Sequence, residues 1–353
     1  MTQPPQGSEL ATKRRRPGVS GLAGQVLAER YRLVEVIGQG GMGCVYRAEH
    51  RAIGKQLAVK VLPPDLAADA EHRARFLREA RAISQVEHEN VVAVSDFGVT
   101  PDGAMFIVME LLRGENLSDL LAREGRQSWS FVKPVFLQIC RAIQAAHDKG
   151  ILHRDIKPEN VLLTLRTGRH FVKVLDFGLA KALGTDLEAS LTGVGRVLGT
   201  AEYMPPERVR DEPLDERSDI YSLGVILYEM TTGSVPFAGD HHGQVFDQQM
   251  YADPVPPREL VPDANIPAPL EAAILRALEK EPAKRFQSVQ ELIEALLPIR
   301  IASRPQPRTT SSATPVVRSA DLARRERMYL AAIAGLATLV VGLGIAVVLL
   351  LGS

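Results

Sequence analysis

The stretches ILHRDIKPENVLL at 151–163 and VKVLDFGLA at 172–180 decide how this chain is read. Between apolar flanks they place Asp155, Lys157 and Asn160, then Asp176 sixteen residues beyond Asn160. The combination of H-R-D-x-K-P-E-N with D-F-G at this separation is specific. It becomes more so when a glycine loop and an A-V-K tripeptide precede it in that order.

Both do. YRLVEVIG at 31–38 alternates apolar and polar positions, the pattern of a half-buried strand. GQGGMGCVY follows, so Gly38, Gly40 and Gly43 form G-x-G-x-x-G. Dinucleotide-binding folds use that pattern at a strand-to-helix turn. Here Val45, Tyr46 and Ala48, then KQLAVKVL at 55–62, read as further strands, so the glycines lie on a flap between strands. Such a flap can lie close over phosphates because no side chain intervenes. Lys60 sits on the second strand between Val59 and Val61. In the following segment Phe76, Ala80 and Ile83 recur at helical spacing, and Glu79 shares their face. A carboxylate on an apolar face needs a cation or costs several kcal/mol, and Lys60 is the candidate.

With these motifs in hand, residues 31–297 resemble a bacterial eukaryotic-like (Hanks-type) protein kinase. The resemblance implies an α+β, bilobal protein-kinase fold, with a small β-rich N-lobe carrying one helix and a larger helical C-lobe. ATP and Mg²⁺, with Mn²⁺ as the alternative metal, would occupy the cleft. Phosphoryl transfer spreads negative charge over the moving group, so catalysis is mainly positioning and neutralisation. Asp155 would accept the proton of a substrate hydroxyl, and Lys157 would neutralise the transferred phosphate. Asn160 and Asp176 offer hard oxygens suited to Mg²⁺. Lys60 would hold the α- and β-phosphates and be fixed by Glu79. The flap Ile37, Gly38, Gln39, Gly40, Gly41, Met42, Gly43, Cys44 and Val45 would cover the nucleotide. Met109 would be the gatekeeper, the Glu110 and Leu112 backbone would meet the adenine edge, and Ala58, Val45 and Leu162 would sandwich the ring. The K-P-E-N tetrapeptide resembles the Ser/Thr-specific branch. Protein substrates bearing Ser or Thr are the implied partners. A pseudokinase scaffold is the alternative, but Lys60, Glu79, Asp155, Lys157, Asn160 and Asp176 are all in place.

The same resemblance extends through the second half. GTAEYMPPE at 199–207 resembles a substrate-docking loop, with Glu207 expected to pair with Arg285. His153 would pack beneath the 176–178 turn, and Asp219 would brace the catalytic loop. Thr185, Ser190 and Thr192 upstream of that loop and Thr200 within it are candidate phosphate acceptors, Thr192 favoured, with Arg154 as receiver; for Thr200 the resemblance implies a structural hydroxyl contact with Asp155 and Lys157. Read from spacing alone, 130–148 is a core helix carrying Cys140, an inert thiol; Cys44 lies on the flap, where oxidation would block ATP, but nothing nearby in the sequence lowers its pKa, and an inert structural thiol is the favoured reading there too.

Composition bounds the rest. The chain has 353 residues with 42 basic and 42 acidic side chains, so no global field draws nucleic acid, and none is expected as partner. Two cysteines supply neither a disulfide framework nor a metal cluster. The expected organisation is a disordered tail over 1–30, the kinase domain over 31–299, a juxtamembrane linker over 300–328 and a transmembrane helix over 329–351. That last stretch is uncharged, and its 23 residues would span about 34 Å as helix, against a hydrocarbon core of about 30 Å. Arg324, Arg325 and Arg327 precede it, which puts the kinase on the cytoplasmic side of a cell membrane as a single-pass protein. With two residues after the span, no extracytoplasmic sensor is expected. Ala331 and Gly335 form a small-xxx-small pair that would suit a homodimer, although the pattern is weak and lipid-facing packing is the favoured reading.

Overall fold

The computed structural model describes residues 21–40, 43–62, 70–177 and 201–300. Their strands are β1 (Val26–Leu27), β2 (Tyr31–Gly40), β3 (Gly43–His50), β4 (Gln56–Leu62), β5 (Val94–Val99) and β6 (Met105–Glu110), in one six-stranded sheet of order β1-β2-β3-β4-β6-β5. Every pairing is antiparallel. Side chains alternate across a strand, so register assigns faces. Val45 lies opposite Lys60, Lys60 opposite Ile107 and Ala58 opposite Met109, so these five share one face. The other face carries Cys44, Tyr46, Val59, Val61 and Val108, which pack with Leu33 and Phe106 into a core. Helix α1 (Ala70–Ile83) buries Phe76 against Leu62, Met105 and Ile107.

The fold starts before the expected boundary at residue 31. Leu27 pairs with Tyr31 and is buried, and Leu22 and Ala28 pack on the same core. A two-residue strand is too short to show a period, and Ala28 and Glu29 turn with φ of +47° and +60°, so composition alone read the segment as tail.

The helical lobe is built round α3 (Trp129–His147) and the helix Glu216–Thr232, called α5 because a short helix α4 (Pro206–Val209) precedes it. Apolar residues lie on nearly every side of α5, as befits a helix at a lobe's centre. Asp215 caps its start by accepting from the Arg217 amide, and Gly233 ends it at φ +86°, where a Cβ would be strained. Ile139, Ile143, Ile220, Leu223 and Leu227 join the large core. Strands β7 (Glu115–Asn116), β8 (Val161–Arg166) and β9 (Arg169–Val174) form a small sheet beside helix α2 (Leu117–Glu124). The bilobal α+β architecture matches the expectation. Among the described residues no helix is long and apolar enough to cross a membrane. The apolar stretch 329–351, residues 301–328, tail residues 1–20 and the candidate acceptors Thr185 to Thr200 lie outside the described residues.

Glu207 of α4 meets Arg285 as expected, in two parallel bonds of 2.8 Å. Arg285 is fully buried, and its five N–H donors all find acceptors: both Glu207 oxygens and the carbonyls of Glu279, Arg217 and Lys280. Burial alone would push the Glu207 carboxyl up, but the Arg285 hydrogen bonds and charge hold it below its ordinary value. A depressed carboxyl stabilises the fold above the unfolded-state value, near 4.5, and loses that contribution as pH falls through the lower folded value. Removing one partner strands a buried charge. Arg285→Met is therefore expected to cost about 3–5 kcal/mol in urea unfolding at neutral pH, with a smaller loss at acid pH, where wild type has already weakened.

Candidate active site

The catalytic segment is organised by one buried carboxylate. Asp219, in the first turn of α5, accepts from the amides of His153 (2.8 Å) and Arg154 (2.9 Å) and from the His147 ring (2.8 Å). Burial would raise its carboxyl, but the His147 hydrogen bond and the other partners bring it below the usual range. These bonds hold Arg154 at φ +62°, a conformation costing a non-glycine residue about 1–2 kcal/mol. Hydrogen bonds to a charged acceptor contribute about 1.5–3 kcal/mol each, enough to offset it. His153 is wholly buried, which lowers its pKa. Its ring bonds the Leu175 carbonyl at 3.0 Å and lies 4.5 Å from the Phe177 ring, so it supports the 176–177 turn.

The turn Arg154–Asp155 delivers the Asp155 carboxylate between two donors. Lys157 Nζ lies 3.2 Å from Asp155 Oδ2, and Asn160 Nδ2 donates to the Asp155 carbonyl (2.8 Å) and to Oδ2 (3.3 Å). Asp176, at φ +50°, meets Lys60 Nζ at 2.8 Å. The loop thus brings Asp155, Lys157 and Asn160 together, Asp176 meets Lys60 of β4, and the Leu175 amide on the Asn160 backbone carbonyl (2.8 Å) ties the two segments.

Glu79 takes another partner. Its carboxylate pairs with Arg154 Nη1 at 3.1 Å, not with Lys60, whose ammonium is engaged by Asp176. The expected Lys60–Glu79 pair is corrected accordingly. The reason is local charge supply: α1 presents Glu79 to a guanidinium turned outward by the Arg154 backbone, and the turned-back Asp176 satisfies Lys60.

The sheet face sets the adenine side. Val45, Ala58, Lys60 and Met109 share it, and Leu162 on β8 is half-buried. Cys44 fits the inert reading favoured for it: one position along from Val45, its thiol turns into the core at 3% exposure. Only its backbone can approach a nucleotide, and oxidation has no exposed sulfur to act on. Gly43 has φ +132°, and a Cβ there would stand 2.2 Å from the Val61 carbonyl oxygen, so glycine is obligatory. Ile37 is half-exposed on the flap with Gly38, Gln39 and Gly40, while Gly41 and Met42 lie outside the described residues. The Glu110 amide donates to the Ala93 carbonyl at 3.1 Å. Leu112 follows, half-buried.

Sequence reading missed Lys173. This buried lysine reaches Glu110 Oε1 (2.6 Å) and the Val91 carbonyl (3.1 Å), and Glu110 also accepts from the Ala93 amide (2.9 Å). It therefore pins the segment between the sheets. A lysine inside the apolar run FVKVL was the available signal.

Among the described residues no group of three or more His, Cys, Asp or Glu could hold a metal by itself. Mg²⁺ needs no such cage, since it binds through one or two protein oxygens plus phosphate oxygens and water. Asp176 and the Asn160 carbonyl oxygen, left over when its Nδ2 turns to Asp155, fit that demand.

A glycine flap over a sheet face, a clamped Asp–Lys–Asn loop and a lysine–aspartate pair across the cleft define an ATP-dependent phosphotransferase domain of the protein Ser/Thr kinase class. Residues 31–311 match the protein kinase domain, and the chain belongs to that family. It is 43% identical over 278 residues to serine/threonine-protein kinase pkn3 of Myxococcus xanthus, covering 78% of this chain and 51% of that protein. It is 39% identical over 283 residues to serine/threonine-protein kinase PknB of Mycobacterium tuberculosis, covering 79% and 44%. The kinase domain of Mycobacterium tuberculosis PknI, a crystal structure, aligns with TM-score 0.61 and 28% identity over 78% of this chain and 97% of that one. The chain spans about half, or less, of the length of these curated relatives.

Lys173→Met should leave Glu110 without its cation. The expected outcome is about tenfold weaker binding of a fluorescent ATP analogue, with stability lowered by about 1–3 kcal/mol. Unchanged affinity would show that the brace is irrelevant to the adenine side.

Proposed function

We propose that the whole protein is a protein serine/threonine kinase that transfers the γ-phosphate of ATP to Ser and Thr hydroxyls of proteins, its own included, at a membrane. The observation that carries this is the Asp155 carboxylate, set between Lys157 and Asn160 on a loop clamped to Asp219. Asp155 orients the acceptor hydroxyl and takes its proton as the oxygen attacks phosphorus. Lys157 stands beside it to balance charge on the moving phosphoryl group. Lys60 has reach to the α- and β-phosphates once Asp176 releases it, and Asn160 and Asp176 would hold Mg²⁺. That ion, when bound, supplies charge neutralisation at the phosphates. Arg154, now paired with Glu79, is the cation that a phosphorylated hydroxyl of 185–200 would engage, which would release Glu79 toward Lys60.

The membrane reading rests on the uncharged stretch 329–351 and the arginines before it. It places the kinase domain in the cytoplasm, where ATP is available.

Two experiments test these readings. Asp155→Asn should lower phosphorylation of casein, and phosphate at residues 185–200 read by mass spectrometry, by about 10²–10⁴-fold while ATP still binds. Robust transfer by purified Asp155→Asn protein would sink the kinase assignment. The full chain should sediment with membranes and resist alkaline washing, and a 1–300 truncation should stay in the supernatant and remain active. Release of the full chain by salt would refute the anchor alone.

A further inference from the structure

Arg208 has no part in the roles assigned above. It follows Glu207 in α4, directly after the stretch 199–207 that resembles a substrate-docking loop, so that segment 201–209 is the described part of that stretch together with the rest of α4. Its guanidinium turns back to the catalytic loop, where Nη1 donates to the Arg154 carbonyl at 2.7 Å. That carbonyl belongs to the peptide unit joining Arg154 to Asp155. The amide on the other side of Arg154 is held by Asp219 at 2.9 Å. The residue at φ +62° is therefore pinned on both sides, from the central helix and from the docking segment. Arg208 and Asp155 also face one another across a hollow of about 10 Å³ shared with Ile156, Tyr203 and Ser222, room for about one water.

A half-buried arginine beside a second arginine is an expensive choice for filling space. Burial lowers the Arg208 pKa, Asp155 nearby opposes that, and Arg154 reinforces it. The return is mechanical. Segment 201–209 is fastened to the helical lobe by Ser222 Oγ on the Tyr203 carbonyl (2.8 Å) and Gln249 Nε2 on the Glu202 carbonyl (2.6 Å). Arg208 is the hydrogen bond by which that segment reaches the peptide carrying Asp155.

We propose that Arg208 is a positioning residue for phosphoryl transfer: it keeps the Arg154–Asp155 peptide in register with the docking segment, so that a seated protein substrate meets a correctly aimed Asp155. This rests on the kinase reading of the same site. It assigns Arg208 no contact with ATP and no contact with the substrate.

The test uses the full chain with casein as acceptor. Arg208→Gln keeps much of the volume and loses the charged fork. It should lower kcat by about tenfold or more, with KM for ATP and for casein within about twofold of wild type. Arg208→Lys, which keeps the charge and one donor direction, should recover part of that loss at the same melting temperature. Wild-type kcat in Arg208→Gln would overturn the proposal. So would a loss confined to the KM for casein, or a loss that Arg208→Lys shares in full. Should Arg208→Gln fail to fold, Arg208→Met, which keeps the aliphatic stem and removes the donor, takes its place and is judged by the same outcomes, with Arg208→Lys again as the rescue. Asp155→Asn serves as control. If it turns over as fast as wild type, the kinase reading has failed; if it is inactive, the Arg208 series judges the positioning role alone.

Discussion

Asp219 is 2% exposed, yet it carries a charge and accepts from two consecutive amides and an imidazole. An unpaired carboxylate at that depth would neutralise itself or unfold its surroundings. This one is tolerated because the donors converge on it, and their convergence is what bends the chain at Arg154. The bend then dictates where Asp155 can point. A reacting group must be held within a fraction of an ångström, and a strained loop residue alone gives no such precision. Anchoring the strain on a helix that is itself buried on nearly every side supplies it.

The cleft is close to charge-balanced within itself. Lys60 pairs with Asp176, Arg154 with Glu79 and Lys157 with Asp155. All six side chains are partly screened from water, from 13% exposure at Asp155 to 39% at Asp176. A triphosphate brings several negative charges into this balance and competes with Asp176 for Lys60. The carboxylate it displaces then wants a cation of its own, which is the electrostatic reason a divalent ion accompanies the nucleotide. The same logic applies at Arg154, where a second anion would compete with Glu79. Each pair keeps part of its surface in water, so an incoming anion can compete for its cation without stranding a fully buried charge.

Much of this was legible in the sequence for identifiable reasons. Strand β2, helix α1 and the core helix α3 announce themselves by period, because their buried faces are continuous, and β3 and β4 by their β-branched and apolar content. Asp155, Lys157, Asn160 and Asp176 are legible because short loops bring residues of fixed spacing together whatever surrounds them. The partner of Glu79 was not, since Lys60 and Arg154 are both cations. Which one is met depends on how α1 sits against the sheet, a rigid-body placement that no local pattern records. Lys173 and Arg208 escaped for a related cause. A lone lysine in a strand and an arginine in a four-residue helix look like solvated charges until the fold closes over them.

One helix start serves both halves of the site. The first turn of α5 supplies Asp219 to the catalytic loop and, one residue earlier, Ser218, whose Oγ donates to Glu207 at 2.6 Å. The Arg217 carbonyl of the same turn receives Arg285 at 2.8 Å, and Arg285 holds Glu207. Two buried carboxylates, Asp219 and Glu207, thus gather where the helix presents its unpaired amides and partial positive charge, a place that lowers the cost of burying anions. The catalytic loop and the docking segment are fixed to one rigid origin, and the Arg208 bond closes the triangle between them. A displacement of α5 would move both together, whereas a displacement of the docking segment alone must stretch or break the Arg208 link. The geometry at Asp155 is therefore insulated from the lobe as a whole and exposed to the segment proposed above to dock a protein substrate.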